Sequence, residues 1–236
     1  DQLLQRFQDQ LGKKLGAERF EQYMKMVSAT SPGNRVPSNI RDASFRYSRW
    51  VQGEEAPGKL YKPPSPYGHK IQQLHNQNVS NFMQEGGLDH LRNTKPFRFF
   101  QNLIGNQKPP TVDLHVMRAS NMKDSLGKPM WDKEPGPAYS YVGDMLRKLA
   151  GGRDMTTGQG QSSLWIGAGK RTGNKSGPDP FLKLFEQRVY HTAAKRGLKP
   201  EEVLRRMISG EEPLLAKAGD KKTAALIGES AALRKA

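Results

Sequence analysis

The chain has 236 residues, with 38 Lys and Arg against 23 Asp and Glu, a formal net charge of +15, and no cysteine. That length accommodates one sizeable domain or two small ones, and a hydrophobic content of 35%, against roughly 45% in ordinary globular chains, leaves part of the sequence outside any core. The missing thiols exclude a disulfide scaffold, cysteine nucleophiles, iron–sulfur clusters and thiolate zinc sites.

Apolar residues at three- and four-residue steps predict a mostly helical stretch over 2–29 (Leu3, Leu4, Phe7, Leu11, Leu15, then Phe20, Tyr23, Met24 and Val27), with Gly16 dividing the two runs. Ser31-Pro32-Gly33-Asn34 is a turn signal. A helix is expected next, from Ser38 as N-cap through Ile40, Ala43, Tyr47 and Trp50. Residues 53–68, rich in Gly and Pro, read as a loop or linker. Helical spacing resumes at about Ile71 (Leu74, Asn78, Phe82) and should stop at Gly86-Gly87. A short helix over Pro96–Ile104 ends at Gly105, with proline where a first turn tolerates it. Further helices are expected from Val112-Asp113 to about Met122, over Ala138–Leu149, over Phe181–Arg196 and over Pro200–Ile208. The Gly-rich basic stretch 151–180 reads as one long irregular segment around the apolar island Leu164-Trp165-Ile166. Residues 217–236, Ala- and Lys-rich, read as a frayed helix or tail. No repeat and no sustained alternation of polar and apolar residues is found, so the expected class is all-α.

So basic a chain favours a polyanionic partner. No apolar run approaches the roughly 18 residues that a membrane helix needs, and Asp1 is not followed by a basic-then-apolar leader. The expectation is therefore a cytoplasmic protein that is neither secreted nor membrane-bound. Gly167-Ala168-Gly169-Lys170-Arg171 resembles a phosphate loop only in outline. Leu164 stands where that loop needs glycine, and Arg171 where it needs a hydroxyl for magnesium. Lys170 and Arg171 can still meet a nucleic-acid backbone. The five histidines form no metal-binding spacing, so no metal and no cofactor is expected. No Gly-x-Ser-x-Gly elbow occurs.

Basic residues alternate with aromatics in Arg41…Phe45-Arg46-Tyr47…Arg49-Trp50 and in Lys95-Pro96-Phe97-Arg98-Phe99-Phe100. Aromatic faces can stack on bases while Lys and Arg neutralise phosphates. On helices the same pattern places the rings in a core, which is the expectation for the phenylalanines; the arginines are expected at phosphates. In the stretch from Lys95 to Thr111-Val112-Asp113-Leu114-His115-Val116-Met117-Arg118, a lysine lies 18 positions before a carboxylate that opens a helix. The helix N-terminus favours an ionised Asp113. Lys95, at the start of another helix, would meet a positive dipole end and partial burial, both of which disfavour the ammonium form. The plainer reading makes Asp113 an ordinary N-cap and Lys95 a surface cation.

This Lys95…Val112-Asp113-x-His115 segment resembles the catalytic segment of the helix–hairpin–helix DNA glycosylase superfamily, the relatives of endonuclease III and 8-oxoguanine glycosylase. Upstream, Met26-Val27-Ser28-Ala29-Thr30-Ser31, followed by Val36, Asn39 and Ala43, resembles the family's early apolar helix and its Leu-Ser-Ala-Gln segment. The resemblance covers about residues 20–120. The "Ser-Ala-Thr-Ser-Pro" and "Val-Asp-x-His" segments are also similar to those of phage and plasmid proteins. The family's glycine-rich hairpin is replaced here by His90-Leu91-Arg92-Asn93-Thr94, in which only Asn93 readily takes a left-handed turn.

What the resemblance implies is a two-lobed helical glycosylase-like fold. Residues 1–122 would form the core, 123–180 an irregular Gly/Pro-rich connection, and 181–236 a C-terminal helical segment and basic tail. It further implies a protein of a bacterial or phage-infected cell that binds duplex DNA, flips one base and releases it. Asp113 would stabilise the developing sugar cation, and Lys95 would be the nucleophile of an abasic-site lyase. Arg92, Asn93, Thr94, Arg98, His115, Arg118, Lys170 and Arg171 would contact DNA, and Thr30 or a neighbour would fill the gap left in the duplex. The alternative is a non-catalytic nucleic-acid-binding or virion-associated protein that kept the fold.

Overall fold

A computed structural model of the chain describes residues 2–53, 69–84, 95–108, 110–123, 136–168 and 181–214. Among them are ten helices and no strand beyond one isolated bridge residue at Lys123, so the chain is all-α. The helices are α1 (Gln2–Leu11), α2 (Lys13–Ala29), α3 (Val36–Val51), α4 (His69–Met83), α5 (Lys95–Leu103), α6 (Leu114–Ser120), α7 (Pro137–Gly151), α8 (Thr157–Gly167), α9 (Phe181–Arg196) and α10 (Pro200–Ile208). They belong to two compact units, Asp1–Met83 with Asp179–Ala236, and Gln84–Pro178. The boundaries differ from the divisions expected at 122 and 180. The reason is packing: α9 lies against α3 and α10 against α1, so the C-terminal helices complete the N-terminal unit instead of standing apart.

In the first unit, α1 and α2 are successive helices that pack on each other and are separated at Gly12. That residue takes φ +81°, a conformation costly for any side chain, and it marks the break. Gly16, expected to divide the runs, instead lies inside α2. A Cβ there would meet the Cα of Gln8 at 2.5 Å, so this glycine admits the neighbouring backbone and breaks nothing. Phe7, Phe20, Tyr23, Tyr47 and Phe185 pack as an aromatic cluster with ring centroids about 6 Å apart, the separation that favours edge-to-face and offset pairs. The Tyr47 hydroxyl donates to the Ile208 carbonyl at 2.7 Å, and the Ser48 hydroxyl to that of Gly210 at 2.7 Å, which ties α3 to the end of α10. The start of α3 is set three residues earlier than expected. Arg35 is its N-cap, and Pro37 sits in the first turn, where its missing N–H costs nothing.

The second unit has a smaller core of Val112, Val116, Tyr139, Val142 and Leu146, with Met117, Met122, Met145 and Leu164 against it. Residues 151–180 are not one irregular segment, because α8 occupies 157–167. Its glycines and serines are poor helix formers, but a capping box starts it. The Thr156 hydroxyl accepts from the Gln159 amide at 3.2 Å, while Gln159 Oε1 accepts from the Thr156 amide at 2.9 Å. Gly160 also lets α8 approach α7 closely, since a Cβ there would lie 2.9 Å from that of Ala150.

Candidate nucleic-acid interface

Lys95 is the first residue of α5, with Pro96 in the first turn, and its side chain is half-buried. The helix ends before Gly105 (φ +101°), as its sequence predicts. The chain then returns through residues 110–113, which are pinned from two sides. Asn102 Nδ2 donates to the Thr111 hydroxyl at 2.8 Å, and the Thr111 amide donates to Gln161 Oε1 at 2.7 Å. Val112 goes into the core, and Asp113 is left at the N-terminus of α6. Asp113 Oδ1 accepts from the Val116 amide at 2.8 Å, and its carbonyl accepts from Met117 at 2.8 Å. This is N-cap geometry: the carboxylate oxygen takes a first-turn N–H that has no partner within the helix. Among the described residues no ion pair or hydrogen bond joins Lys95 to Asp113.

Arg98 places its guanidinium 5.0 Å from the centroid of the Tyr139 ring, a cation–π contact on the edge of the core. Tyr139 in turn reaches the Pro110 carbonyl at 3.5 Å. His115 and Arg118 lie on α6, of which only their backbone is described. Arg92, Asn93, Thr94, Lys170 and Arg171 fall outside the described residues.

Thr30 cannot act as the residue that fills a gap in DNA. It is 0% exposed, and its hydroxyl is committed to the Met26 carbonyl (2.8 Å) and Asn39 Oδ1 (2.5 Å), while Asn39 Nδ2 reaches the Val27 carbonyl (2.9 Å). The Ser-Ala-Thr-Ser motif thus closes the end of α2 onto α3.

Nor does Arg46 meet phosphate. At 1% exposure it is among the largest fully buried side chains, and its Nη2 donates to Asn76 Oδ1 at 2.5 Å. Arg41 clasps Asp42 through Nε (3.1 Å) and Nη2 (3.0 Å), and Arg49 lies 5.5 Å from the Phe45 ring centroid. Around them is a buried polar cluster. Asn34 Nδ2 donates to Asp42 at 3.2 Å, and His75 Nε2 contacts the Pro32 carbonyl at 2.7 Å, so that nitrogen carries the proton. Burial pushes the Arg188 guanidinium down to about 10, helped by nearby Arg41 and opposed by Asp42. Burial also holds the His75 imidazole below its usual value, with the Pro32 carbonyl opposing and Arg46 reinforcing the shift. Through His75 and Asn34 the turn after α2 is tied to α4 and α3.

Both units leave cations facing solvent: in the first, Lys13, Lys14, Lys195 and Lys199 are exposed with no ion pair to a described acid, and the second has the fewer described acids. Lys108, Lys123, Lys148 and Arg153 are exposed and have no acidic partner among the described residues. Of the described acids there, Asp113 caps α6 and Asp144 is paired with Arg147, which leaves Asp154. On the same unit Tyr141 stands out into solvent, a residue that the sequence pattern of adjacent basic and aromatic residues did not reveal. Its signal is helical: Lys148 follows it by seven positions, two turns along one face.

Among the described residues no group of three or more His, Asp and Glu is placed to hold a metal ion, and no helix is long and apolar enough to cross a membrane. No protein-family model, curated protein or solved structure matches the chain.

Proposed function

We propose that the chain is a DNA-binding protein whose second unit meets the phosphate backbone. One observation carries this reading: Lys108, Lys123, Lys148 and Arg153 are solvent-facing cations without acidic partners, on a unit whose described acids are few and partly occupied. Cations of this kind gain most from releasing the counterions condensed on a polyanion. Duplex affinity should fall linearly with salt on a log–log plot, by about 0.9 in slope for each phosphate neutralised. Fluorescence anisotropy with a labelled duplex across a salt series tests it; a flat dependence would refute it.

A second, catalytic reading follows the glycosylase resemblance. In its favour, Asp113 is held half-buried at a helix N-terminus with only one carboxylate oxygen engaged in a described bond, and Lys95 belongs to the same unit. Asp113 would then stabilise positive charge at the sugar as a base departs, and Lys95 would form the Schiff base of an abasic-site lyase. Against it, Asp113 already serves as a cap and has no described hydrogen bond or ion pair with Lys95. Binding without chemistry is therefore the better-supported reading. Borohydride trapping on abasic-site DNA separates the two, since only a Schiff-base lysine becomes covalently linked. Trapping in the wild-type chain that Lys95→Gln abolishes would establish the lyase.

A further inference from the structure

Helix α7 has two unlike faces. Tyr139, Val142, Leu146 and Ala150 are buried and follow the three-and-four rhythm of a core face. Tyr141, Asp144 and Lys148 form the opposite stripe, at steps of three and four residues, and all three are exposed. Tyr141 is 62% exposed, the highest among the large apolar side chains described, and makes no hydrogen bond or ring contact with a described residue. An exposed tyrosine is a weaker helix former than Ala, Lys or Glu, and this one is not among the buried core residues of the helix. Lys148 is likewise exposed, with no acidic partner among the described residues. The stripe's one acid, Asp144, is held by Arg147.

An exposed aromatic ring and an ammonium without an acidic partner, on positions two turns (about 10.5 Å of helix rise) apart on one face, suit an unpaired base with its neighbouring phosphate. Base faces inside a duplex are already stacked on one another, so a tyrosine standing on a helix surface can reach them only in a single strand or at an extruded nucleotide. We propose that Tyr141 is a base-stacking platform and Lys148 its phosphate contact, together taking unpaired nucleotides of a single-stranded nucleic acid. This rests on the nucleic-acid-binding reading above and gives it a specific contact.

The test uses the full chain with fluorescein-labelled oligothymidylate, oligouridylate and a blunt duplex, read by anisotropy. Tyr141→Ala should weaken single-strand binding roughly tenfold, whereas Tyr141→Phe, which keeps the ring, should stay within about twofold. Lys148→Gln should reduce the single-strand salt slope by about 0.7. Oligothymidylate and oligouridylate should suffer alike, because stacking uses a face that every base has. The melting temperature of Tyr141→Ala should be unchanged, since the side chain is not among the buried core residues of α7. Single-strand affinity unchanged in Tyr141→Ala would overturn the inference while intact duplex binding leaves the backbone reading standing. An equal loss on duplex and single strand would also overturn it, by making Tyr141 a duplex contact. Binding to neither probe by the wild-type chain would remove both.

Discussion

The two units differ in how much of their charge is paired. In the first, most of the described acids are answered: Glu21 by Lys25, Asp42 by Arg41, Glu186 by Arg6, and Glu202, Glu211 and Glu212 by a C-terminal network of Arg196, Arg205 and Arg206, whereas Asp9, Glu18 and Glu201 pair with no described cation. Arg205 and Arg206 hold the Glu202 carboxyl down to about 2. Arginines are even taken into the interior, Arg46 onto Asn76 and Arg188 beside Arg41 and Asp42. Among the described residues of the second unit the ion pair is the exposed Arg147–Asp144 contact, the core cluster is mostly aliphatic around Tyr139, and Lys108, Lys123, Lys148 and Arg153 face water. The same excess of Lys and Arg is therefore consistent with two tasks. Part of it organises a fold, and part stands exposed, where the proposed function would use it.

This contrast yields predictions of decreasing size. The largest concerns the aromatic cluster: Phe7→Ala should lower stability by about 3–5 kcal/mol, while Tyr141→Ala should change it by less than about 0.5 kcal/mol, both read from urea denaturation. Gly16→Ala should cost about 1–3 kcal/mol, because the added Cβ would press on the Gln8 backbone; a neutral result would mean that α1 and α2 do not approach as closely as described. Asp113→Ala should cost about 1 kcal/mol as a lost cap, whereas Asp113→Asn keeps the cap and should cost only a few tenths. If Asp113→Asn keeps stability but abolishes base release, the catalytic reading gains the upper hand over binding alone.

A pH effect belongs to the first unit. Burial lowers the folded-state value of His75 beneath its unfolded value near 6.5, so the unfolded chain binds the proton more readily. The contribution to stability is complete above that value and is lost as the pH falls below it, at no more than about 1.4 kcal/mol per pH unit. The charged groups acting on the imidazole are Arg46, which opposes its protonation, and Asp42, which favours it. His75→Asn keeps a donor for the Pro32 carbonyl without titrating there. Its unfolding midpoint should vary less between pH 7.5 and 5 than that of the wild type, as followed by circular dichroism.

Much of the fold was readable because most helices carry a single apolar face. The steps through Leu3 and Phe7, or through Val203 and Met207, have one physical solution, and α9 and α10 fall where that spacing predicts. Helix α8 escaped because Gly158, Gly160, Ser162 and Ser163 weigh against a helix, and its support is a capping box and close packing on Ala150. Arg46 was unreadable for a different reason: its partner Asn76 lies thirty positions away, and no local pattern announces such a pairing. Thr30 misled because a motif read in one dimension says nothing of the Asn39 that buries it. The cap formed by Asp113 was legible from its place before an apolar run. The expected helix over Ala138–Leu149 already puts Tyr141 and Lys148 on one face; what the sequence could not give is the exposure of Tyr141.

The comparison between units is tested most directly by neutralising each in turn and measuring duplex DNA affinity over a salt series. One variant carries Lys108→Gln, Lys148→Gln and Arg153→Gln in the second unit; the other carries Lys13→Gln, Lys14→Gln and Lys195→Gln, exposed cations of the first. Both remove the same charge, so a general effect of net charge would weaken them alike. The account predicts that the second-unit variant loses affinity and about two to three units of salt slope, while the first-unit variant stays close to wild type. Equal losses, or a larger loss from the first unit, would contradict it.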